Sequence, residues 1–232
     1  MRAPRASPAI LFALLAACGG APDAAPHRSG GAPTVASLAA PTGAAVADLK
    51  SGRLAEARAT LEASLAKDPD GMGALGDLAV SYAMEERFDA ARQLFEEVLA
   101  QGSPRDQQSA LVNIAELYAI DGYLTAAGAY LASAKAIDPS RPEPSYALAL
   151  LADARGDGAG AATAMREALD ADSSGSARRA LAFVYPEEQL HLEALVAEVS
   201  GDTAGAEVRW RDLAHGRFSA LVQAAQRRLE GP

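Results

Sequence analysis

One spacing constrains this chain more than any other feature. Ala57 and Ala91 stand 34 residues apart, Ala127 follows after 36, and Ala161 after a further 34. Around these alanines one pattern recurs. Counted from Gly52, Gly122, Gly156 and Gly201, a small or apolar residue stands five, nine and twelve positions on: Ala57, Leu61 and Ser64; Ala127, Leu131 and Ala134; Ala161, Met165 and Ala168; Ala206, Trp210 and Leu213. Ala91, Phe95 and Val98 make the matching set in the unit between. Such offsets place one stripe on one face of a helix. A second helix precedes each of these. Leu75, Leu78, Ala79 and Tyr82 stand at i, i+3, i+4 and i+7; Leu111, Ile114, Ala115 and Tyr118 copy that spacing, and Ser145, Leu148, Ala149 and Ala152 copy it with smaller residues. A single helix pair cannot bury its own apolar face, so the period predicts a stack of pairs, each covering the next.

The local chemistry agrees. Gly52, Gly122, Gly156 and Gly201 lie between the two helices of their units, where a helix end commonly needs a left-handed residue. Glu86 occupies that place in the second unit, so a different turn is expected there. Ser103-Pro104-Arg105-Asp106 offers an N-cap with proline in the first turn, Ser140-Arg141-Pro142-Glu143 has the spacing of a capping box, and Asp157 and Asp202 follow their glycines as N-caps. Pro69 and Pro139 stop the second helices of their units. Three places depart from the pattern. Residues 42–49 hold alanines where a full first helix wants Leu and Tyr, which suggests a frayed half-unit. Ala206 follows Ala161 by 45, and the surplus fits an added helical piece over 176–186, with Pro186 breaking any helix that runs through it. After Leu213, Phe218, Leu221, Val222, Ala225 and Leu229 form one more amphipathic helix, as a stack needs to close its last face.

Composition narrows the functional classes. Alanine makes up about a quarter of the 232 residues and aromatics only 5%, which favours closely packed helices over a β-sandwich or barrel. The net charge of −9, with no basic stripe, argues against nucleic acid as a partner. One cysteine and three scattered histidines supply neither an intramolecular disulfide nor a zinc ligand set, and no other cofactor motif is present.

The two-helix unit of 34 residues resembles the tetratricopeptide repeat. The resemblance covers about residues 38–214 and rests on Leu78-Ala79, Ile114-Ala115 and Leu148-Ala149, on Tyr82 and Tyr118, on alanines 57, 91, 127, 161 and 206, and on Pro69 and Pro139. It implies an all-α fold, a right-handed superhelical solenoid of helix–turn–helix repeats with a C-terminal capping helix. The implied units run over about 42–69, 72–104, 108–139, 142–173 and 187–214, with the insert at 176–186 and the cap at 217–229. It also implies that the concave groove is the working surface. Val80 and Met84, then Val112, Asn113 and Glu116, then Tyr146 and Leu150, are the groove positions expected to meet a protein or peptide partner. That strip holds one asparagine and no base, which disfavours the carboxylate clamp of some tetratricopeptide domains and suits an amphipathic helix or an extended apolar segment.

The N-terminus reads as an address. Arg2 and Arg5 precede an apolar run from Ala9 to Ala17. Nine helical residues span roughly 14 Å, too short for a bilayer core of about 30 Å, so the run reads as the core of a secretory signal. Leu15-Ala16-Ala17-Cys18 resembles the lipobox of bacterial lipoproteins. The resemblance implies a signal peptide over 1–17, lipid attachment at Cys18 through diacylglycerol and palmitate-type acyl chains, and a linker over 18–41 rich in Gly, Ala and Pro. The expected location is an exported, lipid-anchored one: the outer membrane facing the periplasm, since Gly19 is not aspartate, or otherwise the outer face of the cell membrane.

The search for chemistry returns nothing. There is no phosphate loop, no Gly-x-Ser-x-Gly elbow and no His-Glu-x-x-His. His191 reads as a surface or groove residue and His215 as a loop residue. Glu85-Glu86, Glu96-Glu97 and Glu187-Glu188 read as solvated faces, because helix neighbours point about 100° apart. Tyr82, Tyr118 and Trp210 read as core. The expectation is a non-enzymatic, membrane-anchored interaction scaffold or adaptor of the cell envelope. A pilotin-like assembly factor for a type IV pilus secretin is a narrower form, and an envelope hydrolase is disfavoured because the repeats leave no catalytic domain.

Overall fold

The computed structural model describes residues 36–38 and 44–230. The signal peptide, Cys18 and most of the linker expected above lie outside the described residues. Those residues begin with a short strand, β1 (Ala36–Leu38), and continue as helical hairpins: α1 (Ala44–Lys50) with α2 (Leu54–Leu65), α3 (Met72–Met84) with α4 (Phe88–Gln101), α5 (Pro104–Ile120) with α6 (Leu124–Ile137), and α7 (Glu143–Ala154) with α8 (Gly158–Ala171). A short helix, α9 (Ser176–Ala180), and a strand, β2 (Leu181–Phe183), interrupt the series. It resumes with α10 (Pro186–Val199) and α11 (Thr203–Leu213) and ends at α12 (Ser219–Glu230). Each second helix packs on the first helix of the next unit, and α8 packs on α10, so the stack continues across the interruption. This is an all-α repeat solenoid.

The packing follows the 34-residue pattern. Ala57, Ala91, Ala127 and Ala161 are fully buried, and Ala206 is nearly so. A methyl side chain is what lets two helices approach at these crossings. Four residues on, Leu61, Phe95, Leu131, Met165 and Trp210 fill the space between units and are likewise buried. Even the two-turn α1 contributes, through fully buried Ala45 and Leu49.

All five inter-helix turns are built alike. The left-handed residue is Gly52, Glu86, Gly122, Gly156 or Gly201, with φ between +58° and +86°. In each, its N–H and that of the following residue reach back to the last turn of the helix, as in Glu86 N–H to Ala83 O and Arg87 N–H to Tyr82 O. The different turn expected at Glu86 is therefore not made; the packing of α3 on α4 holds a glutamate in the glycine conformation. Ser103 and Asp106 form a reciprocal capping box with Pro104 in the first turn of α5, and Asp157 and Asp202 accept from the N–H of Gly160 and Gly205. The box expected at Ser140 does not form: its hydroxyl bonds the Asp138 carboxylate instead, and α7 starts after Pro142. No helix runs through Pro186. It opens α10, where its missing N–H costs nothing. The added piece is a five-residue helix followed by a strand rather than a longer helix.

Candidate functional site

The first helices of successive units, α3, α5, α7 and α10, line the face on which a partner was expected. The chain lays its own strands across it. β1 pairs antiparallel with β2, Ala36 opposite Phe183, Ser37 opposite Ala182 and Leu38 opposite Leu181. β1 lies against α5 and touches α3 and α7, while β2 rests on α10 and α1. The groove positions expected to meet a partner are largely enclosed. Val80, Val112, Asn113, Glu116, Tyr146 and Leu150 are all buried, and Met84 is half-buried against the core of the first units. Val112, Tyr146 and Leu150 belong to one apolar cluster with Leu181 of β2. The Tyr146 hydroxyl donates to Asp172 at 3.1 Å, and that burial and the Asp172 charge raise its pKa. Asp172 also accepts from the N–H groups of Ala177 and Arg178, which ties α9 to the end of α8.

Two polar clusters lie in this buried layer. Glu116 of α5 faces Glu188 of α10, both in full burial. Glu188 accepts from the Tyr185 N–H at 3.0 Å, which closes the start of α10. Burial, with the neighbouring carboxyl, raises Glu116 well above the usual carboxylate range, and burial raises Glu188 to about 8 against the pull of its hydrogen bonds. Both carboxyls therefore hold a proton to a higher pH than an exposed glutamate does. Glu188 is not the solvated residue expected, because Pro186 starts α10 in a position that turns its first turn inward.

The second cluster joins α7, α10, α11 and α12. His191 Nε2 lies 2.7 Å from Asp153 Oδ2, and neither side chain is exposed. Arg228 reaches the other Asp153 oxygen at 2.8 Å and Glu198 at 2.9 Å. The His191 ring sits edge-on to Trp210, and the Arg228 guanidinium lies 5.4 Å from the Trp210 ring centre. Burial works to raise Asp153, but the hydrogen bond and charge of His191, with Arg228, hold it below the usual carboxylate range. His191 is thus a core residue, not the surface or groove residue expected. His215 is exposed and bonds the Arg211 carbonyl.

What stays open is a cavity of about 250 Å³ beside the covered strip. Asp77, Asn113, Phe95 and Val98 line it, with Arg105 and Arg141 near α5 and α7 and Ser176 and Ala177 of α9 across from them. Arg141 is paired with Glu143 at 2.8 Å. The two arginines went unnoticed in the sequence because they stand outside the helix positions the period marks: Arg105 in the first turn of α5, Arg141 before α7 begins.

Comparison with known proteins places this architecture. Two overlapping stretches, residues 42–106 and 85–142, match the tetratricopeptide repeat. Residues 42–142 are thus similar to tetratricopeptide repeats. The match ends where α7 begins, and the helix pairs α7–α8 and α10–α11 continue the stack with buried alanines at Ala161 and Ala206. No curated protein matches the chain. Among solved structures, that of PilW, described as a widely conserved type IV pilus biogenesis factor, is similar over 78% of this chain and 95% of its own, at 18% identity and a TM-score of 0.35.

Proposed function

We propose that this chain is a non-enzymatic interaction scaffold of the bacterial cell envelope, anchored by lipid on Cys18, that holds a protein partner on the face lined by α3, α5 and α7. The observation that carries the reading is the cavity beside the covered strip, where apolar Phe95 and Val98 adjoin Asp77, Asn113 and Arg105. An apolar floor with charges of both signs at its edge suits a peptide segment. The repeat match supports protein binding as the mode of action. Ser109, half-buried on α5, lines the cavity. A photoreactive residue there, in cells, is expected to trap one defined envelope protein, and the same residue at exposed Glu97 of α4 is not. Equal trapping at both sites, or at neither, overturns the reading.

The anchor has its own test. Cys18→Ser is expected to leave the protein uncleaved or released in soluble form. Retention of a mutant of wild-type size through carbonate and high-salt washes would remove the anchor from the proposal. The narrower pilotin reading rests on the small size, the repeat plan and the lipobox-like Leu15–Cys18. It predicts that deletion of the protein leaves a secretin unassembled in the outer membrane.

A further inference from the structure

The strand that covers the face belongs to no repeat. β1 joins α1 through residues 39–43, and the buried stripes that bind helix to helix are complete without it. It contributes three residue pairs to a sheet of two strands, a sheet too small to be stable on its own. It pairs by main chain with β2 and lies against α5, where Val112, with Tyr146 and Leu150 of α7 and Leu181 of β2, belongs to one buried apolar cluster. That is how an extended peptide is recognised by strand addition: the ladder supplies affinity and the surface beneath it selects side chains.

We propose that β1 is a built-in ligand of this face, and that an uncharged extended segment of a partner protein replaces it along β2. The proposal rests on the partner-binding reading above and names the kind of segment and its control. The chemistry of the segment is read from the present occupant. Between Pro33 and Pro41 run Thr34, Val35, Ala36, Ser37, Leu38, Ala39 and Ala40, with no charge among them. The paired part of this stretch is Ala36–Leu38. The helices under the strands present a buried layer, so a charged segment would have to shed its water. A strand held on a short connection acts at a local concentration on the order of millimolar. A partner must therefore exceed it in length or fit, and weak non-cognate segments are shut out.

The test uses the chain with Cys18→Ser and a new cysteine pair, Ser37→Cys with Ala182→Cys. These residues are directly opposed, and opposed residues of an antiparallel pair lie roughly 4.5–5.5 Å apart, within disulfide reach. The probe is a fluorescent peptide of the chain's own residues 33–41, followed by anisotropy. The reduced protein is expected to bind it at least tenfold more tightly than the oxidised, locked protein. Leu38→Asp, which weakens the resident strand, is expected to tighten probe binding at least threefold with an unchanged helical spectrum. Equal binding by locked and unlocked protein overturns the proposal, whether or not the Leu38→Asp chain folds. Reduced-state dimers that vanish on oxidation would put a second copy's strand on β2 and overturn it too. The Ser109 photocrosslink separates this idea from the broader one. A partner trapped equally in both redox states leaves the scaffold reading standing and removes strand replacement. Redox-dependent peptide binding with no partner trapped at Ser109 does the reverse.

Discussion

At the scale of the residue, the same backbone device serves different side chains at different cost. Gly52 and Gly201 sit at φ +74° and +83° with nothing within 4 Å of where a β-carbon would stand. Replacing either by alanine therefore meets no neighbour and adds only the strain of a β-carbon in the left-handed conformation, and each change is expected to cost about 1 kcal/mol. Chemical denaturation checks this, and a cost above about 2 kcal/mol would mean that the turn makes contacts not seen here. Glu86 already bears that strain at φ +58°. The buried carboxyls make a second residue-scale prediction. Glu188 is raised from an ordinary 4.5 to about 8, and Glu116 is raised as well. Between those values the folded chain holds more protons than the unfolded one. The contribution of Glu188 is thus fully present below about pH 4.5 and declines as pH rises toward 8, with a slope of up to about 1.4 kcal/mol per unit. Urea melts at about pH 5, 6.5 and 8 are expected to show that decline in the wild type and a flatter profile in Glu188→Gln. A wild-type midpoint that rises over this range would refute the raised pKa of Glu188.

At the scale of the element, α12 is held by its apolar stripe, with Leu221 and Ala225 in the shared cluster, and by what it brings to Asp153. Arg228 supplies one partner and His191 the other, and Arg227 reaches the Asp153 carbonyl. Arg228→Ala removes one cation from a carboxylate with no exposure, a class of change that costs about 3–5 kcal/mol. The chain's single tryptophan, Trp210, touches both His191 and Arg228, so its fluorescence reports the loss directly. The expected result is a shifted emission with a lower melting temperature, and unchanged emission would mean that α12 docks without this network. Asp153 titrates in the opposite sense to the glutamates. Its pKa is held below 3.8, so its contribution is lost only as the pH falls below that value. This is also where the sequence stops being legible. Helix pairs, N-caps at Asp157 and Asp202 and the alanine crossings follow from local spacing. Asp153 and His191 meet across 38 residues, and Glu116 and Glu188 across nearly twice that, so no window of neighbours reveals either pair. Glu86 misled for a related reason: packing holds it in a left-handed conformation that its local preference points away from. The three-residue β1 has no period at all, so its pairing with β2 across this face left no local signal.

At the scale of the molecule, a solenoid's stability is a sum over neighbours, and the neighbours here are unequal. The C-terminal units share one apolar cluster that runs from α5 to α12. The N-terminal end has a small cluster of Ala45, Leu61, Ala74 and Leu78, closed by an α1 of only seven residues. Ion pairs repeat along the outer side without changing that balance. Arg58 pairs with Glu85 and, one period later, Arg92 with Asp121, but half-exposed pairs of this kind contribute about 1 kcal/mol at most. The two ends should therefore respond differently to the same chemical change. Leu61→Ala and Leu131→Ala each remove a fully buried leucine side chain from the equivalent place in its unit, at a local cost of about 2–5 kcal/mol. At Leu61 that cost exceeds what two turns of α1 and the small cluster can supply, so α1 and α2 open while the remainder stays folded. At Leu131 the cavity lies inside the shared cluster, where opening one hairpin exposes both of its neighbours, so the loss is spread over the whole transition. Native-state hydrogen exchange distinguishes the cases. Leu61→Ala is expected to strip protection from 44–65 and leave α7, α8 and α10 as in the wild type, whereas Leu131→Ala lowers protection from α5 to α12 together. Uniform loss in both variants would mean that the stack unfolds as one cooperative unit, and that the weak first repeat is held by contacts beyond its own cluster.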